Sequence, residues 1–132
     1  MYLVDTSVWI DFLRNRHTKA VGRLRAILDD QIVFGISGVI YQELLQGAAS
    51  KMDFLRLKAY FGSQRFFHPK DLKSTFLNAA HLYFDCRQAA ITIRSTIDCL
   101  IAQIAMEHGL ILLHSDRDYE RIQKVRPELR LE

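Results

Sequence analysis

Proline and glycine are scarce in this 132-residue chain, at 2 and 6, and it has only 2 cysteines and 1 tryptophan. With 49% hydrophobic and 25% charged residues besides, it is not collagen-like, low-complexity or intrinsically disordered. No apolar run approaches the roughly 20 residues a membrane-spanning helix needs. The opening Met1-Tyr2-Leu3-Val4-Asp5 lacks the basic region of a secretory signal and meets an acid at once, so neither export nor a membrane partner is expected. Cys86 and Cys99 do not have the short pair spacing of zinc ligands, and His17, His68, His81, His108 and His114 form no zinc pattern. The cysteines read as reduced thiols of a cytoplasmic protein. There is no G-x-G-x-x-G and no P-loop, so nucleotide-cofactor chemistry has no support. A net charge of +3 permits a nucleic-acid partner without demanding one.

What the chain does have is an alternation of short apolar runs with longer helical stretches. Tyr2-Leu3-Val4, Ile32 to Ile36, Arg65 to His68, Leu110 to Leu113 and Leu129-Arg130-Leu131 read as strands. Between them lie helical spacings at 6–14, 18–29, 38–49, 51–62, 70–88, 95–108 and 116–125, with Ser37 and Ser95 as caps and Gly109 as a terminator. Strands without period-2 alternation are buried on both faces. Separated by helices, they predict a three-layer α/β/α sandwich with a central, mostly parallel sheet of 4–5 strands, a single domain over 1–132. Phe54, Leu57, Tyr60 and Phe61 are expected in the core, with part of that face free for a dimer contact, and Trp9 is expected in the core rather than as a base-stacking platform. In such a sheet the ligand site lies beyond the carboxyl ends of the strands.

Four of the 15 acidic residues sit in apolar surroundings at such ends. Asp5 follows the first strand and Asp116 the fourth. Asp98 stands one turn into a helix, on a face with Ile101, Ala102 and Ala105. Glu43 lies about two turns into Gly38 to Leu45, sharing a face with Val39 and Ile40. Capping explains Asp5, Asp98 and Asp116 one at a time, through Ser95-x-x-Asp98 and Ser115-x-x-Asp118. Glu43 is past the capping positions; its plain alternative is a buried pair with an arginine. Together, converging carboxylates repel and lose hydration, which keeps their protons on unless a countercharge arrives. A hard divalent cation such as Mg²⁺ removes that conflict and suits phosphodiester hydrolysis.

Val4-Asp5-Thr6-Ser7-Val8-Trp9-Ile10-Asp11, Tyr41-Gln42-Glu43-Leu44-Leu45-Gln46-Gly47, Thr96-Ile97-Asp98-Cys99-Leu100-Ile101-Ala102 and Leu113-His114-Ser115-Asp116-Arg117-Asp118-Tyr119 resemble, in order, the four motifs of the PIN-domain ribonucleases, and within them the VapC toxins of type II toxin–antitoxin pairs. The resemblance implies an endoribonuclease dependent on Mg²⁺ or Mn²⁺, with Asp5, Glu43, Asp98 and Asp116 as the acidic site. It implies that Asp5, Asp98 and Asp116 hold the metal, while Glu43 orients the attacking water or holds a second ion. Thr6 and Ser7 would support the site, and Asp118 would be a further acid at its rim. Partners implied are RNA, a cognate antitoxin covering the active-site groove, a second copy of the chain in a homodimer, and operator DNA reached through the antitoxin. Tyr119 departs from the usual Phe and Ser115 from a common Thr, Arg or Asn; the Tyr is expected not to affect metal binding.

Basic residues cluster at Arg14, Arg16, His17, Lys19, Arg23 and Arg25, and most read as a solvated face. Arg94, four residues before Asp98, and Arg87 are the candidate phosphate contacts. Three other functions compete. One is a non-catalytic binding or regulatory protein of the same fold. Another is a metal-free ribonuclease using His114 and a second histidine. The last is an aspartyl-phosphate domain built on Asp5.

Overall fold

The apolar runs flanking the first and last acidic motifs become adjacent parallel strands at the centre of the sheet. In the computed structural model, which describes residues 1–132, the chain runs β1 (Tyr2–Val4), α1 (Thr6–Leu13), α2 (Lys19–Asp29), β2 (Phe34–Gly35), α3 (Gly38–Gln46), α4 (Lys51–Gly62) and α5 (Leu72–Gln88). It continues through α6 (Thr96–Glu107), β3 (Ile111–Leu113), α7 (Arg117–Val125) and β4 (Arg130–Leu131). The strand order is β2-β1-β3-β4 and every pairing is parallel. Leu3, Val4, Leu112 and Leu113 are buried, as strands covered on both faces require. Helices α1 to α4 pack among themselves, and so do α5 to α7. With strands buried on both faces, the two groups form the outer layers, giving the three layers read from the sequence.

Topology places the site. From β1 the chain first builds outward to β2, then returns past β1 to lay down β3 on its other side. The connections therefore diverge beyond the carboxyl ends of β1 and β3, where a crevice opens. Register holds Val4 opposite Leu113, and the Asp5 amide donates to the Leu113 carbonyl at 3.0 Å. The residues that follow the two strands are thus neighbours across the crevice.

Two expectations about the sheet and core are corrected. Arg65 to His68 is not a strand. It meets the sheet through one bridge, Ile36 to Phe66, held by Ile36 N to Arg65 O at 2.9 Å and Phe67 N to Ile36 O at 2.8 Å. The segment comes so close that a Cβ on Gly35 would lie 2.5 Å from the Arg65 carbonyl oxygen and 2.6 Å from the Phe67 ring. Pro69 has no amide hydrogen to extend the pairing. On α4 only Phe61 is fully buried; Phe54 and Tyr60 remain 42% and 44% exposed. Trp9 is buried as expected, edge-on to Phe61 at a centroid distance of 4.9 Å.

Four helices stop in the same way. Asn15, Gln31, Ala90 and Gly109 adopt φ of 53°, 54°, 57° and 63°. The next residue's amide then reaches back to a carbonyl five positions earlier, as in Ile91 N to Cys86 O at 2.8 Å and Leu110 N to Ala105 O at 2.8 Å. Gly109, and less strongly Asn15, advertise this stop by residue type; Gln31 and Ala90 do not. No helix is long and apolar enough to cross a membrane.

Candidate active site

Asp5 and Asp116 leave their strands as helix N-caps, which is why both stand at the crevice. Asp5 Oδ2 accepts from the Ser7 amide at 3.0 Å and the Ser7 hydroxyl at 2.6 Å. Ser7 Oγ in turn accepts the Ser115 amide at 3.1 Å, strapping the start of α1 to the segment after β3. Asp116 Oδ1 accepts the Asp118 amide at 2.9 Å, so the cap of α7 is Asp116 itself and not Ser115. Ser95 caps α6 by accepting from the Ile97 amide at 3.2 Å. Asp98 does not reach back to close a capping box. Its carboxylate takes no hydrogen bond from the protein.

Asp98 carries the electrostatic strain of the site. Its carboxyl is pushed up to about 7, first by burial and then by the charges of Asp116, Asp5, Asp118 and Glu43. Glu43 is raised by burial and by Asp5, against the opposing hydrogen bond from Thr6 Oγ1 to its Oε1 at 2.9 Å. All five acids therefore face one locality, although α3, α6, β1 and α7 deliver them separately. This is the crowding a hard divalent cation relieves, and the donors are carboxylate oxygens, its preferred ligands. The thiols offer no competing chemistry: burial pushes Cys99 up to about 12 and raises Cys86.

The closest grouping differs from the sequence expectation. Asp98, Asp116 and Asp118 offer oxygens all within 4.8 Å of one another, whereas Asp5 stands outside this triad. Asp118, expected at the rim, is fully buried. Its Oδ2 accepts the Arg94 backbone amide at 3.2 Å and Arg94 Nε at 3.3 Å, and its Oδ1 accepts from Arg121 at 2.9 Å. Three of its roughly four acceptor positions are thus filled by the protein. The physical reason is α7: with Asp116 as cap, residue 118 turns inward beneath Arg94. Within the triad the oxygens free of any protein donor are those of Asp98 and Asp116 Oδ2, while Asp116 Oδ1 also accepts from Arg94 at 3.2 Å.

Arg94 is 71% exposed and lies across Asp116 and Asp118. With Ser7, Ser115, Asp116, Arg117 and Arg121 it lines a polar cavity of about 430 Å³ that has no apolar wall. Arg87 is at the last turn of α5, its guanidinium 6.0 Å over the Phe84 ring, and makes no ion pair with these acids. Past Glu43 a second cleft of about 540 Å³ opens, walled by Ile10, Leu13, Leu44 and Tyr60 with Arg14 and Arg56. His114 Nδ1 accepts the Asp116 amide at 3.3 Å, and the His108 ring lies elsewhere, its Nε2 2.7 Å from the His68 backbone carbonyl, so these three form no histidine pair at the acids.

The sequence singled out Tyr119 as a departure from the usual Phe but gave it no part in the site. Its ring is fully buried and its hydroxyl donates to Asp5 Oδ1 at 2.7 Å, so the Tyr in place of Phe does touch the acidic site. Burial, then the charges of Asp5 and Asp98, raise its pKa well above the usual phenol value, so the proton stays on the hydroxyl.

The PIN domain family model matches residues 2–125. Ribonuclease VapC11 of Mycobacterium tuberculosis (strain ATCC 25618 / H37Rv) and VapC ribonuclease Mb1587 of Mycobacterium bovis are each 30% identical over 126 residues, covering 95% of this chain and 93% of theirs. Among solved structures, VapBC2 from Rickettsia felis, bound to a DNA fragment from their promoter, matches with a TM-score of 0.74 at 20% identity, over 99% of this chain and 96% of that one. VapBC-1 from nontypeable Haemophilus influenzae matches with a TM-score of 0.74 at 19% identity, over the same shares. These two likenesses concern the fold; the sequence matches decide the family. With its acids gathered beyond the central strands, the chain belongs to the PIN domain family, among the VapC ribonucleases.

Proposed function

We propose that this protein is the toxin of a type II toxin–antitoxin pair, acting in the cytoplasm as a Mg²⁺- or Mn²⁺-dependent endoribonuclease on structured RNA such as tRNA or rRNA. The observation that carries the reading is Asp98, a half-buried carboxylate with no protein donor, set among four other acids. The names of its mycobacterial relatives support RNA as substrate.

The residues divide the work. Asp98 and Asp116 would hold the cation, with Asp5 completing the set from the end of β1. Such a cation supplies Lewis-acid stabilisation of charge on the scissile phosphate and acidifies water. Glu43 has Oε1 held by Thr6, which leaves Oε2 to orient the attacking water and take its proton. Arg94 sits where a phosphate would cross from the acids into the polar cavity, and Arg117 and Arg121 extend that positive wall. Asp118 anchors Arg94 rather than binding substrate.

The VapBC complexes support an antitoxin partner, and a promoter fragment in one of them supports operator DNA as an indirect one. The apolar cleft beside Glu43, with Arg14 and Arg56 on its walls, suits an amphipathic antitoxin segment. Exposed Phe76 and Ile97 line a separate apolar hollow between α5 and α6, which would suit a homodimer contact, while the α4 face first expected for it borders the cleft beside Glu43. The test is RNA cleavage with Mg²⁺, Mn²⁺ or EDTA, alongside inducible expression in cells. Cleavage lost in EDTA and in Asp5→Asn and Asp98→Asn, with growth arrest by the wild type alone, is expected. Undiminished cleavage in EDTA would overturn the proposal.

A further inference from the structure

We propose that Tyr119 is a positioning residue for the metal site: its hydroxyl fixes the Asp5 carboxylate so that a single acceptor position, on Oδ1, remains for a cation. The inference rests on the metal-dependent reading above and adds a residue to it.

A carboxylate has about four acceptor positions. At Asp5 the protein fills three of them: Ser7 N at 3.0 Å and Ser7 Oγ at 2.6 Å on Oδ2, and Tyr119 Oη at 2.7 Å on Oδ1. A two-oxygen grip on a cation is therefore closed to Asp5, and a one-oxygen grip through Oδ1 is open. The donors are themselves fixed. Ser7 Oγ is bound to the Ser115 amide, and the Tyr119 ring is wholly enclosed, with His114 edge-on at 5.3 Å. Tyr119 is 114 residues from Asp5 and stands on α7 next to Asp118, three residues beyond Asp116. Its hydroxyl consequently ties the acid that ends β1 to the helix that carries Asp116, and sets how the two carboxylates stand to each other. Phe would fill the same space and leave Oδ1 without its donor, with Ser7 alone holding the carboxylate through Oδ2.

Partners that orient a ligand in this way typically change metal affinity by roughly 10- to 100-fold when lost. The test compares wild type, Tyr119→Phe, and a variant with p-aminophenylalanine at 119, which keeps a donor at the same place. Mn²⁺ affinity is measured by calorimetry, the melting temperature in EDTA, and RNA cleavage as a function of Mn²⁺. The expected result is a roughly 10- to 100-fold loss of Mn²⁺ affinity in Tyr119→Phe, with cleavage recovering at high Mn²⁺ and the RNA KM unchanged. The amino variant should return to within about threefold of wild type. Equal affinity in wild type and Tyr119→Phe overturns the inference and leaves the nuclease reading standing. Equal loss in both variants also overturns it, since restoring a donor at that place would then restore nothing. A wild type that binds no Mn²⁺ sinks the metal reading itself.

Discussion

Replacing Asp98 with Asn should stabilise the metal-free protein while abolishing its chemistry. The carboxyl is pushed from 3.8 to about 7, chiefly by burial and by Asp116. The folded value lies above the unfolded one. Asp98 therefore costs nothing below about pH 4, and stability is lost progressively as pH rises to about 7, because the unfolded chain gives up this proton first. Each pKa unit is worth about 1.4 kcal/mol, so a shift of about three units sets an upper bound of about 4 kcal/mol. The crevice is open to water, and screening reduces this to about 2 kcal/mol. Asn is close in size to the protonated acid and carries no charge. In EDTA at pH 8, Asp98→Asn should exceed wild type by about 2 kcal/mol, on the order of 5–10 °C in melting temperature. At pH 4 the two should coincide. Urea unfolding at both pH values, with equal m-values, makes the measurement. Adding Mn²⁺ at pH 8 should reverse the order, because only the wild type has a cation to gain stability from. A variant no more stable than wild type at pH 8 in EDTA would show that the acids do not crowd Asp98 as described.

Other substitutions probe the supports of the site. Arg94→Gln removes one of the two guanidiniums on buried Asp118, so it should lower stability; it should also flatten the salt dependence of RNA binding by about one phosphate's worth, read from log Kd against log salt. Gly35→Ala would drive a methyl group into the Arg65 carbonyl and the Phe67 ring and should cost about 2 kcal/mol or more by urea denaturation. Ala90→Gly should act in the other direction, stabilising by up to about 1 kcal/mol, because residue 90 holds a φ of 57° that a Cβ disfavours.

Local pattern in the chain was enough for the frame. Wholly apolar Tyr2 to Val4 and Leu110 to Leu113 could only be covered strands, and the helical spacings between them demanded parallel pairing. The positions of Asp5 and Asp116 followed, since a residue that ends a buried strand and opens a helix must stand at the crevice. These features are encoded within a few residues, by period and by cap. Tertiary structure decided the rest. That Asp118 lies beneath Arg94, 24 residues earlier, depends on how α7 is rotated about its axis. The grip of Tyr119 on Asp5 depends on strand register across 114 residues. Arg65 to His68 has a strand's composition but meets too little free edge to become one, and the outer face of α4 stays exposed because nothing in this chain packs over it. Side-chain pairs between distant segments are set by register and helix rotation, and neither is written in the spacing of any one segment.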